Sequence, residues 1–297
     1  MATYPTFEGT TNFRVPATGK WSITWYKIIG NLGESTTSPL IALHGGRDFD
    51  FFAPLSDIYE AHKIPTILYD QTTWGRPIRG EDRDSKPFRT YDVFIQELDN
   101  LIDHLGLRLR GFHLLGHGWG GMLAGSYAAR HPRGLNRLIL VSTPGSIQQW
   151  TQARRKLSRL LPWHFHLALG GHIEREPDDS QGYRRAFGVY FSQYICRLNP
   201  LPEPMQCFLW NLPGDKAVYF AVCRDWDPSK DAYEIEVQTL LVHGKHDEVS
   251  EKHMKPWYEA IKDSKWMTLN KASHTAHWED RENFMQLCGK FLSGKPL

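Results

Sequence analysis

The stretch that decides the fold is Phe112-His113-Leu114-Leu115-Gly116-His117-Gly118-Trp119-Gly120-Gly121-Met122-Leu123-Ala124-Gly125-Ser126-Tyr127-Ala128-Ala129. A short apolar run meets a glycine-rich hinge and continues into small, helix-forming residues, so it reads as strand, sharp turn and helix. Upstream, Val93, Ile95, Leu98, Leu101, Ile102 and Leu105 recur at helical spacing, and Thr90 is placed to cap that helix. Before it come a buried strand at Leu40–Leu43 running into His44-Gly45-Gly46, a helix near Ala53–His62, and a strand at Thr66–Tyr69 ending in Asp70-Gln71. Alternating segments around Phe13-Arg14-Val15 and Trp21–Ile29 predict an antiparallel hairpin at a sheet edge.

Downstream, Leu138–Ser142, Val237–Gly244 and Trp266–Leu269 are further strands, and Phe284, Leu287, Phe291 and Leu292 mark a closing helix. Strands alternating with helices predict a mostly parallel α/β sheet flanked by helices. Between residues 145 and 224 strand-like runs disappear. Helical pieces at Gln148–Leu161, Phe165–Glu174, Gln181–Leu198 and Met205–Leu212, broken by prolines, predict an inserted helical lid on a core of residues 1–144 and 225–297.

The turn has the frame of a nucleophile elbow, G-x-S-x-G, in which a strained bend lifts a serine hydroxyl above an α/β sheet. Both flanking glycines are present, Gly116 and Gly120, but the nucleophile position is Gly118. Acyl transfer on such a scaffold needs a nucleophile, then an acid, then a histidine in chain order, with two backbone N–H groups for the oxyanion. Asp247 follows a buried strand, and His274 stands between the last strand and the last helix, with His277 as its rival. The oxyanion donors expected are the N–H of Trp119 and one from Gly45 or Gly46.

At 297 residues with 41% hydrophobic content and 11 Trp, the chain has material for a large core. A net charge of +2 is too small a field to argue for nucleic acid or an anionic membrane. The basic run Arg154-Arg155-Lys156 with Arg159 reads as the wet face of a helix that carries Leu157, Leu160 and Leu161 on its other side. Cys196, Cys207, Cys223 and Cys288 form neither a C-x-x-C nor a dense framework, and the N-terminus lacks a signal pattern, so a reduced, cytoplasmic protein is expected. His164/His166 and His243/His246 lack a third ligand at metal spacing, so neither a metal nor a cofactor is expected. The expected partner is a small-molecule or short-peptide substrate, taken by a monomer or weak homo-oligomer.

With these residues placed, the sequence resembles the proline iminopeptidase branch of the α/β-hydrolases. The likeness runs through His44-Gly45-Gly46, Tyr69-Asp70-Gln71, Glu97-Leu98-Asp99, Gly116-His117-Gly118-Trp119-Gly120-Gly121-Met122-Leu123-Ala124, Gly244-Lys245-His246-Asp247-Glu248-Val249 and Ser273-His274. It implies an α/β-hydrolase fold, hydrolysis of an amide after a free N-terminal residue or of amino-acid amides and esters, and a triad at position 118, Asp247 and His274. It also implies glutamates that bind a substrate ammonium. Glu248 fits one, while Asp215-Lys216 falls where another is expected, and Lys216 there would attract a carboxylate instead. Trp150 and Trp210 are the aromatic lid residues assigned to the substrate.

The sequence departs from the family at Gly118, where the family has serine, and at Arg47-Asp48 after the HGG. Glycine adopts the elbow conformation freely, so its presence removes chemistry without threatening the fold. One explanation is a nucleophile knockout of a serine hydrolase, since the acid, the histidine, the glycines and the HGG all persist. Another is an enzyme that works without serine, using His274 and Asp247 as a general base for cyclisation, condensation, dehydration or direct hydrolysis. A third is a small-ligand binder without catalysis.

Overall fold

A computed structural model describes residues 4–16, 19–33, 35–45, 49–71, 91–169, 181–210 and 226–297. Eight strands form one sheet: β1 (Thr6–Arg14), β2 (Trp21–Ile29), β3 (Leu40–Leu43), β4 (Thr66–Tyr69), β5 (Phe112–His117), β6 (Leu135–Val141), β7 (Gln238–Gly244) and β8 (Ser264–Leu269). Their spatial order is β1-β2-β4-β3-β5-β6-β7-β8. The hairpin β1–β2 is antiparallel, with Arg14 opposite Trp21, and β2 joins β4 antiparallel. From β4 through β8 every pairing is parallel. The expected edge hairpin and parallel α/β core are therefore both present.

The helices are α1 (Ser56–His62), α2 (Tyr91–His104), α3 (Leu107–Arg110), α4 (Trp119–Ala128), α5 (Ile147–Ser158), α6 (Trp163–Leu169), α7 (Gln181–Tyr194), α8 (Glu203–Trp210), α9 (Glu251–Ala260), α10 (Ala276–Glu279) and α11 (Arg281–Leu292). Strands β3 and β5 are buried along their whole length. Their alternate residues therefore feed two cores: Ile41 and Leu43 face Phe94, Met122 and Trp257, while Leu40 and Ala42 face Ile58, Tyr190 and Phe284. A parallel sheet covered on both faces needs apolar residues at every strand position, which is why these strands read as continuous runs. The stretch between β6 and β7 contributes α5–α8, and among the described residues it holds no strand.

Element boundaries moved where local geometry intervened. The helix expected from Ala53 begins at Ser56, because Phe49–Leu55 forms a 3-10 segment kinked at Phe52 and containing Pro54. Proline lacks the N–H that a continuous α-helix would use. The third inserted helix stops at Tyr194 rather than Leu198, where the carbonyls of Tyr194 and Ile195 turn to accept from Thr275 and its neighbour. The Thr90 cap and the ends of the helices expected to Glu174 and Leu212 lie outside the described residues.

At the elbow Gly118 adopts φ 55°, ψ −117°, a region costly for residues with a Cβ. Close packing explains its neighbour Gly120: a Cβ there would overlap the carbonyl oxygens of Leu43 and His44. These are backbone atoms at the end of β3, held in register with β5. Gly120→Ala is therefore expected to destabilise the protein by more than about 4 kcal/mol or prevent folding. Chemical denaturation checks this, and a loss under about 1 kcal/mol would contradict the packing.

Candidate active site

The site forms where the parallel strands end. After β5 the chain turns at Gly118 into α4; after β7 a loop carries Asp247; after β8 another loop carries His274 ahead of α10. The His274 Nδ1 is 2.8 Å from Asp247 Oδ1. That oxygen also accepts the Val249 N–H at 2.8 Å, so the carboxylate is held by its own loop. The Asp247 side chain is fully buried, and that of His274 is 10% exposed. With Nδ1–H donating to the carboxylate, the Nε2 lone pair faces the elbow. A Cβ built on Gly118 would lie 3.6 Å from Nε2, 3.9 Å from Cε1 and 4.0 Å from the Gly45 Cα, all ordinary contact distances. Residue 118 thus has room for a side chain, and a hydroxyl on that carbon comes within hydrogen-bonding reach of the imidazole.

The electrostatics match a general base. Burial alone would lower the His274 pKa, but the charge of Asp247 and the hydrogen bond to it, with Glu248 behind, outweigh burial and Arg154 and raise it above the ordinary imidazole value. His277 is fully buried, donates from Nε2 to the Phe51 carbonyl at 3.0 Å, and is pushed down to about 3 by burial. It is a neutral packing group, so the geometry separates it from its rival. The residue before the elbow glycine, His117, donates from Nε2 to the His274 carbonyl at 2.8 Å, and the Ser142 hydroxyl donates to the same oxygen at 3.2 Å. Sequence reading assigned neither of them this support of the histidine loop.

On the oxyanion side, the Trp119 N–H opens α4, where the helix itself offers it no carbonyl. Gly45 comes from the end of β3, and a Cβ on it would stand 2.7 Å from the His117 carbonyl oxygen, so the close approach requires glycine. His44 ties this loop to Tyr69-Asp70-Gln71: the Gln71 N–H donates to His44 Nε2 at 3.4 Å, and the Gln71 side-chain amide donates to the His44 carbonyl at 3.3 Å. Gly46 and Lys216 lie outside the described residues, and Trp210 is placed only as the last residue of α8.

Glu248 and Trp150 do come together, with partners not foreseen. The Trp150 Nε1–H donates to Glu248 Oε1 at 3.1 Å, and the Tyr190 hydroxyl donates to Oε2 at 2.7 Å. Arg154 Nε forms an ion pair with Oε2 at 3.3 Å, and its guanidinium lies over the Trp150 and Tyr190 rings at 5.2 and 5.9 Å. Arg154 was expected on a wet helix face, yet it is 8% exposed while Arg155, Lys156 and Arg159 are exposed as expected. The available signal was spacing: Ile147, Trp150, Ala153, Arg154 and Ser158 form one buried helical stripe, and Leu160 falls on the solvent side. A buried carboxylate stripped of its cation is costly, so Arg154→Met is expected to destabilise by about 3 kcal/mol. Adding Glu248→Gln should recover part of that in denaturant titrations, and a double variant no more stable than the single one would contradict the pairing.

An elbow at the end of β5, an acid after β7 and a histidine after β8 in one hydrogen-bonded array agree with the comparisons to known proteins. The model of the Alpha/beta hydrolase family matches residues 40–287. The chain belongs to the alpha/beta hydrolase family. Among its relatives is a proline iminopeptidase of Saccharolobus solfataricus, 27% identical over 281 residues that span 90% of this chain and 88% of the relative. Among solved structures, that of VinJ superposes with a TM-score of 0.88 at 29% identity, covering 98% of this chain and 99% of the other. That of a proline iminopeptidase of Mycobacterium smegmatis superposes with a TM-score of 0.79 at 24% identity, covering 96% and 98%, and shows the shared fold. This hydrolase is thus similar over nearly its whole length to the proline iminopeptidase branch. No helix among its described residues is long and apolar enough to cross a membrane.

Proposed function

We propose that the site is that of a serine-type acyl hydrolase for a small amide, peptide N-terminal or ester bond, in which glycine stands at the nucleophile position. The observation that carries this reading is the Asp247–His274 pair aimed at residue 118 across a space sized for a side chain. In the serine form, the hydroxyl proton passes to His274 Nε2 as Oγ attacks the carbonyl carbon. The oxyanion meets the N–H groups of Trp119 and the Gly45–Gly46 loop, and Asp247 stabilises the imidazolium. His274 then protonates the leaving amine or alkoxide, and water releases the acyl group by the reverse use of the same base. The inserted helices α5–α8 act as the lid over this site. The names of the relatives favour N-terminal aminoacyl substrates. Without the hydroxyl, the chain forms no acyl-enzyme.

The test is a paired assay of this chain and Gly118→Ser on amino-acid anilides and simple esters. Turnover by the serine form alone supports the reading; inertness of both overturns it. A second reading draws on the same space: a water in place of the hydroxyl, activated by His274, attacks the substrate directly. Turnover by the glycine chain itself, without covalent labelling, would favour that reading.

A further inference from the structure

We propose that helix α7 is a positioning element for the Asp247–His274 pair, gripping the histidine loop through its C-terminal carbonyls and the acid loop through Tyr190. The histidine loop is docked by three contacts: His274 N–H to the Tyr194 carbonyl at 3.3 Å, Thr275 N–H to the Ile195 carbonyl at 3.0 Å, and the Thr275 hydroxyl to that same carbonyl at 2.9 Å. Past the helix end, the Glu279 carboxylate accepts the Arg197 N–H at 2.9 Å and the Ser273 N–H at 3.0 Å, so the loop is clasped on both sides of His274.

The acid loop is held differently. Asp247 Oδ1 accepts the N–H of Val249, two residues on, so Glu248 is the middle residue of the turn that aims the carboxylate. Its side chain is 2% exposed and anchored by Tyr190, Trp150 and Arg154. Displacing the Glu248 side chain therefore rotates the turn and with it the oxygen that holds His274. Tyr190 lies one helical turn from Tyr194, so a single helix sets the distance between the two loops. Tyr190 acts through Glu248 and not on substrate.

The test uses the full chain and begins without any substrate. The low-field Nδ1–H resonance of His274, assigned by its loss in Asp247→Asn, and the ring's titration are followed by NMR in Tyr190→Phe. The charged groups facing the ring are Asp247, Glu248 and Arg154, and the adjacent rings of His117 and His277 are neutral. Tyr190→Phe is expected to broaden or shift the resonance and lower the titration midpoint. Ser192→Ala, on the same helix with its exposed hydroxyl donating to the Val189 carbonyl at 3.0 Å, is expected to change neither. An unchanged resonance and midpoint in Tyr190→Phe overturns the proposal, as does an equal response in Ser192→Ala.

A kinetic arm rests on the hydrolytic reading and uses the Gly118→Ser chain. There Tyr190→Phe is expected to lower kcat by about tenfold with KM unchanged, the effect of one lost hydrogen bond. Its effect should be non-additive with that of Glu248→Gln, and additive effects overturn the route through Glu248. If Gly118→Ser is inert, the hydrolytic reading fails while the NMR comparison still decides the role of α7.

Discussion

Gly118→Ser is expected to convert the chain into a working hydrolase, and His274→Ala in the same molecule is expected to abolish the gain. The predicted fall is on the order of 10^4-fold or more in kcat/KM, because a hydroxyl without its base is a poor nucleophile. Asp247→Asn should cost on the order of 10^4-fold while leaving the site's shape intact, because it favours the wrong imidazole tautomer. The Cβ position at residue 118 is 3.6 Å from His274 Nε2, and the opposite ring nitrogen is tied to Asp247 at 2.8 Å. The pH profile supplies a second handle. His274 must be neutral to accept the proton and its pKa is raised, so kcat/KM of the serine form should climb with pH through a midpoint above the ordinary imidazole value. A serine form whose activity survives His274→Ala would show that the base is elsewhere.

Acid sensitivity is expected to be large for a different reason. His44, His117 and His277 are each at most 2% exposed, and burial pushes His44 and His277 down to about 3 and His117 well below the ordinary value. His113, at about 4, acts in the same direction. The unfolded chain takes up protons on these rings near pH 6.5 and the folded chain does not. Stability from them is therefore complete above about pH 6.5 and lost as pH falls toward 3. His274 has the opposite sign: its raised pKa stabilises the fold below about pH 6.5, and that contribution fades as pH rises through its folded value. Several lowered rings against one raised ring leave a net loss on the order of 3 kcal/mol between pH 7 and 5.5. Urea titrations at the two pH values measure it, and His277→Gln, which keeps a donor for the Phe51 carbonyl but cannot titrate, should make the dependence shallower. A flat stability over that interval would contradict the burial of these rings as neutral groups.

Much of this architecture was legible because its signals are local. The run from Phe112 to Ala129 carries its own strand, turn and helix, and Gly116, Gly118 and Gly120 mark the bend whatever else surrounds them. The order of elbow, Asp247 and His274 was readable because each follows a strand of the parallel sheet, and parallel strands deliver their C-terminal ends to one edge. What escaped was set by contacts between distant parts of the chain. Arg154 and Glu248 are 94 residues apart, and nothing beside either announces an ion pair. Helix α7 ends where its carbonyls meet the histidine loop, 80 residues downstream. His277 could be told from His274 only once the Phe51 carbonyl was found to hold its ring.

The most direct measurement is intact-mass analysis after exposure to a serine-directed fluorophosphonate, made on this chain, on Gly118→Ser and on Gly118→Ser,His274→Ala. A single adduct, mapped to residue 118, is expected in the serine form only, with labelling slowed to background when His274 is removed. An adduct on the glycine chain, or a folded Gly118→Ser protein that stays unlabelled, would contradict it.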